Sequence, residues 1–291
     1  MSAVMHHPSR ATRRAKKLGL DILTWMLVLI AITPALWVVL TAFRLNREIN
    51  AVPAIWIPER LTTEAFEILF GIGGVGGTVP VPAYLRNSLT AALVSTVFAV
   101  SIGTLAGYAF SRYSFRGKNS LFLGLMLSRA IPGIALGLPL FVLFARAGLL
   151  DSRYALIMAY IALNIPFTMW LMDGFFRDIP PDLGEAAEVD GATSWQVFFK
   201  VYLPLARPGL AASSIFAFLM AWNEYQLAVV LTRSPASKTF PVGLFDFTQQ
   251  FTFDWRGMAA MSTVMMVPAV VFILLVQRNL MRGLTFGATK S

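Results

Sequence analysis

The chain has 291 residues, of which 57% are apolar and 13% charged, with a mean hydropathy of +0.67 and a net charge of +9. A water-facing domain carries about 25% charged residues, so this composition excludes an ordinary soluble globule and points to lipid as the solvent. The absence of cysteine excludes disulfides and thiolate metal sites, and the positive residues flank apolar blocks instead of forming one stripe, which argues against nucleic-acid binding.

Residues 1–19 read as a basic cytoplasmic tail with Arg10, Arg13, Arg14, Lys16 and Lys17. His6 and His7 lie in it side by side with no other ligand nearby, so no metal site is predicted. The apolar run from Leu18 to Phe43 outlasts the ~7–15 residues of a signal-peptide core and meets the ~20 residues of a spanning helix, so it reads as a retained first helix. Further apolar blocks follow at about 88–110, 119–145, 154–176, 209–232 and 258–277. Each is long enough for a hydrocarbon layer of about 30 Å at about 1.5 Å per residue, and lipid leaves the backbone no partners outside a helix. The spacing therefore predicts six transmembrane helices within a domain over 20–281. Pro132, Pro139, Pro166 and Pro268 are predicted kinks or packing features within them.

The segment between the first two helices carries a helical stretch near Thr63 to Phe70 and a glycine-rich run from Gly71 to Gly76. That run matches G-x-G-x-x-G, but Pro80 and Pro82 follow it and no buried strand precedes it, so it reads as a loop. The chain has no G-x-x-x-x-G-K-[ST] phosphate cradle, and nucleotide energy is expected to come from a partner. Fourteen Lys or Arg fall in the terminal tails and the 111–118 and 177–208 segments, against nine on the opposite side. This bias predicts both termini in the cytoplasm.

The loop over 177–207 holds the densest local signals. Asp182 with Glu185 has the spacing of a capping box, and Gly191 suits a left-handed helix end. Thr193 or Ser194 is placed to cap a second short helix, which Pro204 is expected to stop. Two short helices meeting at a glycine are predicted, with Ala186 and Ala187 leaving a smooth side for another surface.

Here the sequence resembles the permease subunits of ABC importers. Their signature is E-A-A, three residues, G, nine residues, an aliphatic residue, one residue and L-P; Glu185, Ala186, Ala187, Gly191, Val201, Leu203 and Pro204 fill it. Trp222-Asn223-Glu224-Tyr225, Asn87-Ser88 and the end from Gln277 to Lys290 resemble the smaller subunit of the maltose-permease-like carbohydrate group. The resemblance implies an all-α type I importer permease in a prokaryotic inner membrane, carrying a sugar or related polyhydroxylated solute. It also implies a second permease subunit, two ATP-binding subunits holding ATP and Mg, and an extracytoplasmic solute-binding protein. The 177–207 loop would be the coupling element, and the tail over 282–291, with Gly287 and Lys290, would reach the ATP-binding subunits or stay solvated. Neither a cofactor nor catalysis is expected of this chain.

Charges at mid-bilayer cost at least ~2.5–3.5 kcal/mol on insertion scales, so they mark functional candidates. Arg129 in the third block and Glu224 in the fifth are such residues; they are read as a buried pair, as walls of a solute pathway, or as contacts to the partner subunit. Trp222, Asn223 and Tyr225 join the pathway candidates, with ring stacking on a sugar set against plain packing. An ion-gradient-driven transporter is the alternative, but paired inverted repeats and mid-depth carboxylates, its usual marks, are not evident beyond Glu224.

Overall fold

The structure is a computed structural model and describes residues 10–53, 55–72, 79–248 and 253–287. His6, His7, Gly73 to Gly76 and Lys290 lie outside the described residues. Helix α1 (Arg10–Ala42) is followed by the short α2 (Asn46–Ile49) and α3 (Glu64–Phe70), then by α4 (Val81–Arg112). Next come α5 (Lys118–Ser128), α6 (Gly133–Arg146) and α7 (Arg153–Arg177). A hairpin follows, built from α8 (Asp182–Val189), α9 (Ser194–Val197), a π turn (Phe198–Tyr202) and α10 (Leu203–Leu205). Helices α11 (Arg207–Trp222), α12 (Gln226–Leu231) and α13 (Phe240–Gly243) lead through a 3-10 turn (Leu244–Phe247) to α14 (Trp255–Gly287).

Among the described residues, four helices, α1, α4, α7 and α14, are long and apolar enough to cross a membrane unbroken. The number reaches six when two bent pairs count as spans: α5 with α6, bent by 97°, and the α9–α10 stretch with α11, bent by 75°. The third apolar block is thus not the single helix its length predicts. Pro132 has no N–H to continue the ladder and disfavours helical geometry at Ile131, so the chain breaks between Ser128 and Gly133. Pro139, Pro166 and Pro268 stay inside continuous helices. At both ends of the chain the backbone helix runs into the predicted tails, beginning at Arg10 and continuing to Gly287. Between Arg10 and Leu18 the residues are mostly Ala, Arg, Lys and Leu, which favour helix.

The centre of the bundle is the α4–α7 pair. A Cβ on Gly103 would lie 2.6 Å from the Thr168 side chain, and one on Gly107 would lie 2.8 Å from the backbone of Met169 and Asp173. Lipid tails give helices no hydrophobic reason to associate, so close backbone approach through small residues supplies the packing energy. Ala92, Ala155, Leu156 and Tyr160 are fully buried here, with Phe218 and Trp222 of α11 closing the core from the other side. Helix α1 packs on α14 at the edge and is exposed along its apolar length, the surface that meets lipid.

At the end of the bundle away from the hairpin, the segment after α12 is tied to two elements. The Asn87 amide of α4 donates to Pro235 O (3.0 Å) and Lys238 O (2.9 Å), and Ser88 Oγ accepts from Phe240 N (2.7 Å). In the α6–α7 turn, Asp151 Oδ1 accepts from Arg233 N (2.8 Å), Ser234 N (2.9 Å) and the Ser237 hydroxyl. Burial acts to raise the Asp151 carboxyl, but the bonds from Ser234, Ser237 and Arg233 outweigh it and hold the group well below the usual carboxylate range.

Two outcomes follow for stability. Gly107→Val is expected to cost about 1–3 kcal/mol or more through overpacking, read as a lower midpoint of thermal unfolding in detergent, whereas Gly124→Val, with open space around it, leaves the midpoint nearly unchanged. A carboxyl with a depressed folded-state pKa stabilises above its unfolded value and loses that contribution as pH falls. The midpoint gap between the parent and Asp151→Asn should therefore hold constant from pH 7 to about pH 4, the unfolded carboxyl range, and shrink below it.

Candidate functional site

Two features stand out as candidate sites, a cavity inside the bundle and the hairpin at its end. The cavity, about 370 Å³, lies between α6, α7 and α11 where two helices are interrupted. One interruption is the break before α6. The other is Asn223–Tyr225, which separates α11 from α12 and corrects the expectation of one unbroken fifth helix through these residues. The breaks meet: a Cβ on Gly133, the first residue of α6, would lie 2.7 Å from the side-chain oxygen of Gln226, the first residue of α12. Two half-helix N-termini thus come together at the cavity wall. Discontinuous helices of this kind are where membrane transporters place polar groups at depth.

Arg129 and Glu224 both line this cavity, yet they are not among the ion pairs of the described residues. The Glu224 carboxylate instead caps α12, accepting from Leu227 N (2.8 Å) and Ala228 N (3.1 Å), where free N–H groups and the helix dipole favour an anion. The Arg129 guanidinium lies 4.8 Å from the centre of the Phe167 ring, a cation–π placement. Tyr160 and Asn164, one turn apart on α7, share the wall. Sequence reading passed over both, although a polar i, i+4 pair in an apolar span was the available signal.

Of the two readings of Trp222, plain packing fits the structure. The side chain is 1% exposed, stacks on Phe218 (5.8 Å, 13°) and donates its indole N–H to Met265 O (3.2 Å), so it belongs to the core and not to the cavity. Asn223 is exposed and bonds back to Leu219 O, and Tyr225 packs against Phe245 at 5.1 Å; neither lines the cavity.

The hairpin is built largely as its residues dictate. Gly191 closes α8 with φ +86°, and Ala192 N bonds to Ala187 O (2.9 Å). Thr193 caps α9 in a full capping box with Gln196. Asp182 does not cap α8: Pro181 holds the cap position with helical dihedrals, which starts the helix at Asp182 and places Asp182 and Glu185 in the first turn, facing the positive helix end. Pro204 does not stop the second arm either. A π turn widens the ladder just before it, Leu203 N bonds back to Phe198 O, and the bend falls at Ala206.

One side of the hairpin is sewn to the bundle and the other is open. Val197, Phe198 and Tyr202 bury against Met172, Phe176 and Ile179 at the end of α7, with Ala187 and Leu203 packed on the same cluster. Glu185 and Ala186 face outward, as do Val189 (88% exposed) and Trp195 (65%). The Trp195 and Phe199 rings stack at 5.9 Å.

Residues 99–286, more than half of the chain, match the family of binding-protein-dependent transport system inner membrane components. The chain belongs to this family. A probable ABC transporter permease of Sinorhizobium fredii is 35% identical over 97% of this chain and 99% of its own length. The permease protein of a trehalose transport system in Mycobacterium tuberculosis is 42% identical over 71% of this chain and 76% of its length. In three dimensions, a bacterial ABC transporter involved in the import of the acidic polysaccharide alginate superposes with a TM-score of 0.74, at 20% identity, over 94% of this chain and 98% of that one.

This permease is therefore a multi-pass inner-membrane protein with the ABC importer permease fold. Its signature residues Glu185, Ala186, Ala187, Gly191, Val201, Leu203 and Pro204 all come together in one hairpin, and of the pathway candidates Arg129 and Glu224 share one cavity. Gly287 is the last described residue of α14. Asp173, near the end of α7, is buried (5% exposed) and pairs with Arg177 at 2.9 Å.

A double-mutant cycle on Arg129→Gln and Glu224→Gln tests the unpaired geometry. Glu224→Gln alone should cost about 1 kcal/mol through the weakened cap, and the two changes should add within about 0.5 kcal/mol in thermal stability; a larger coupling would restore the buried pair.

Proposed function

We propose that this permease subunit imports a sugar or related polyhydroxylated solute, converting the motion of separate ATP-binding subunits into alternating access. Its partners in this reading are a second permease, two ATP-binding subunits that hold ATP and Mg, and an extracytoplasmic solute-binding protein. Both termini and the hairpin face the cytoplasm, following the excess of Lys and Arg on that side. Residues 20–281 form the permease domain, and the tail that follows approaches the ATP-binding subunits.

The observation that carries the reading is the hairpin: it is fixed to α7 on one side and presents Glu185, Ala186, Val189, Trp195 and Phe199 on the other. An exposed aromatic pair beside a small-residue helix has the composition of the buried centre of a protein interface. A nucleotide-driven partner seated there moves the bundle by binding its two states unequally, which is the only way a partner shifts such an equilibrium. The carbohydrate assignment is supported by the resemblance carried by Asn87-Ser88 and Asn223-Glu224 and by the trehalose-system relative. The cavity suits it: about 370 Å³, mainly apolar walls and a few polar groups from Arg129, Tyr160, Asn164 and Glu224. The family of the chain favours this reading over an ion-gradient-driven transporter.

Glu185→Lys and Gly191→Pro should lower uptake of the sugar retained by the cognate binding protein about tenfold or more, equivalent to about 1.4 kcal/mol or more of coupling, at unchanged amounts of permease in the membrane. Uptake at parent levels in either variant would overturn the docking role.

A further inference from the structure

Arg112 is the last residue of α4 and is not part of the family signature described above. Its guanidinium donates to two backbone carbonyls, Phe176 O and Ile179 O, at the end of α7. The same group lies 4.3 Å from the centre of the Tyr202 ring in the π turn. One turn earlier, Tyr108 packs against Phe198 (4.8 Å), Tyr202 (5.3 Å) and Phe176 (5.4 Å). Tyr202 continues the chain of contacts: a Cβ on Gly184 of α8 would lie 2.4 Å from its hydroxyl. One arginine therefore touches the ends of α4 and α7 and the far arm of the hairpin at once, and the ring it covers rests on the near arm.

We propose that Arg112 is a positioning residue that locks the hairpin, α4 and α7 into one lever. The proposal rests on the docking role of the hairpin and goes beyond it by naming the route of the force. A push on α8 passes through Gly184 and Tyr202 into Arg112, and from there into the closely packed α4–α7 pair. The covalent route, by contrast, runs through Ala206 into α11 with a bend of 75°. The chemistry calls for arginine. Carbonyls at a helix end attract a cation, and one terminal nitrogen of Arg112 donates to both of them while the planar face of the group stacks on a ring, a face that an ammonium group lacks.

The permease has no cysteine, so Arg116→Cys and Asp182→Cys, both at exposed positions, place a nitroxide pair across the joint. In the transporter assembled with its partner permease and ATP-binding subunits, the pair is measured with no nucleotide and with MgATP plus vanadate. The proposal expects one unchanged distance for the parent. With Arg112→Gln added, nucleotide should shift the distance by about 5 Å or more, the rise of one helical turn, while ATP hydrolysis persists; Arg112→Lys should fall between. A role in folding alone would broaden the distribution equally in both nucleotide states and would overturn the proposal. So would a parent distance that itself moves by that amount, and this arm decides the matter if Arg112→Gln does not accumulate. Failure of the docking role looks different: a single label at position 182 would keep the same mobility when the ATP-binding subunits are added.

Discussion

The contact on which this bundle depends is the approach of α4 to α7 at Gly103 and Gly107, where helix backbones meet with no room for a side chain. In lipid, packing of this kind replaces the hydrophobic force that joins helices in water. The pair then serves as a platform for everything else. Its far end offers Asn87 and Ser88 to the segment after α12, its middle places Tyr160 and Asn164 on the cavity wall, and its near end carries Tyr108, Arg112 and Phe176 to the hairpin. A loosened contact at Gly107 would misplace all three sets together.

The broken helices show how the chain tolerates irregular backbone at depth. Freed groups must find partners, since lipid provides none. Glu224 meets that need at α12 by giving its carboxylate to the first free N–H groups, so a residue that looks costly in an apolar span is repaid by its neighbours. Arg129 has its face on Phe167. The cavity wall thus holds a carboxylate satisfied by backbone N–H groups and a guanidinium resting on a ring.

How much of this was legible in the sequence depends on the range of the interactions involved. The apolar blocks, the helix near Glu64 to Phe70 and the turn at Gly191 follow from composition and local backbone preference, and the signature from Glu185 to Pro204 named the family from a single loop. The break in the third block was within reach, because Pro132 marked it, but a proline in a span usually kinks and does not divide it. The burial of Trp222 was not readable: whether an aromatic ring lines a cavity or fills a core depends on which side of α11 meets α14, and that is set by Met265, forty-three positions away. The same holds for Gly184, whose size matters only because Tyr202 folds back over it, and for Arg112, one basic residue among several at a helix end until its two acceptors are seen.

The π turn at Phe198–Tyr202 has a consequence for the exposed face of the hairpin. A turn of this kind contains one residue more than an α-turn, and each residue rotates a helix by about 100°. Removing any one residue there would swing Trp195 and the arm before it round by more than a quarter circle relative to α11. The orientation of this surface is thus written in chain length as well as in side-chain chemistry.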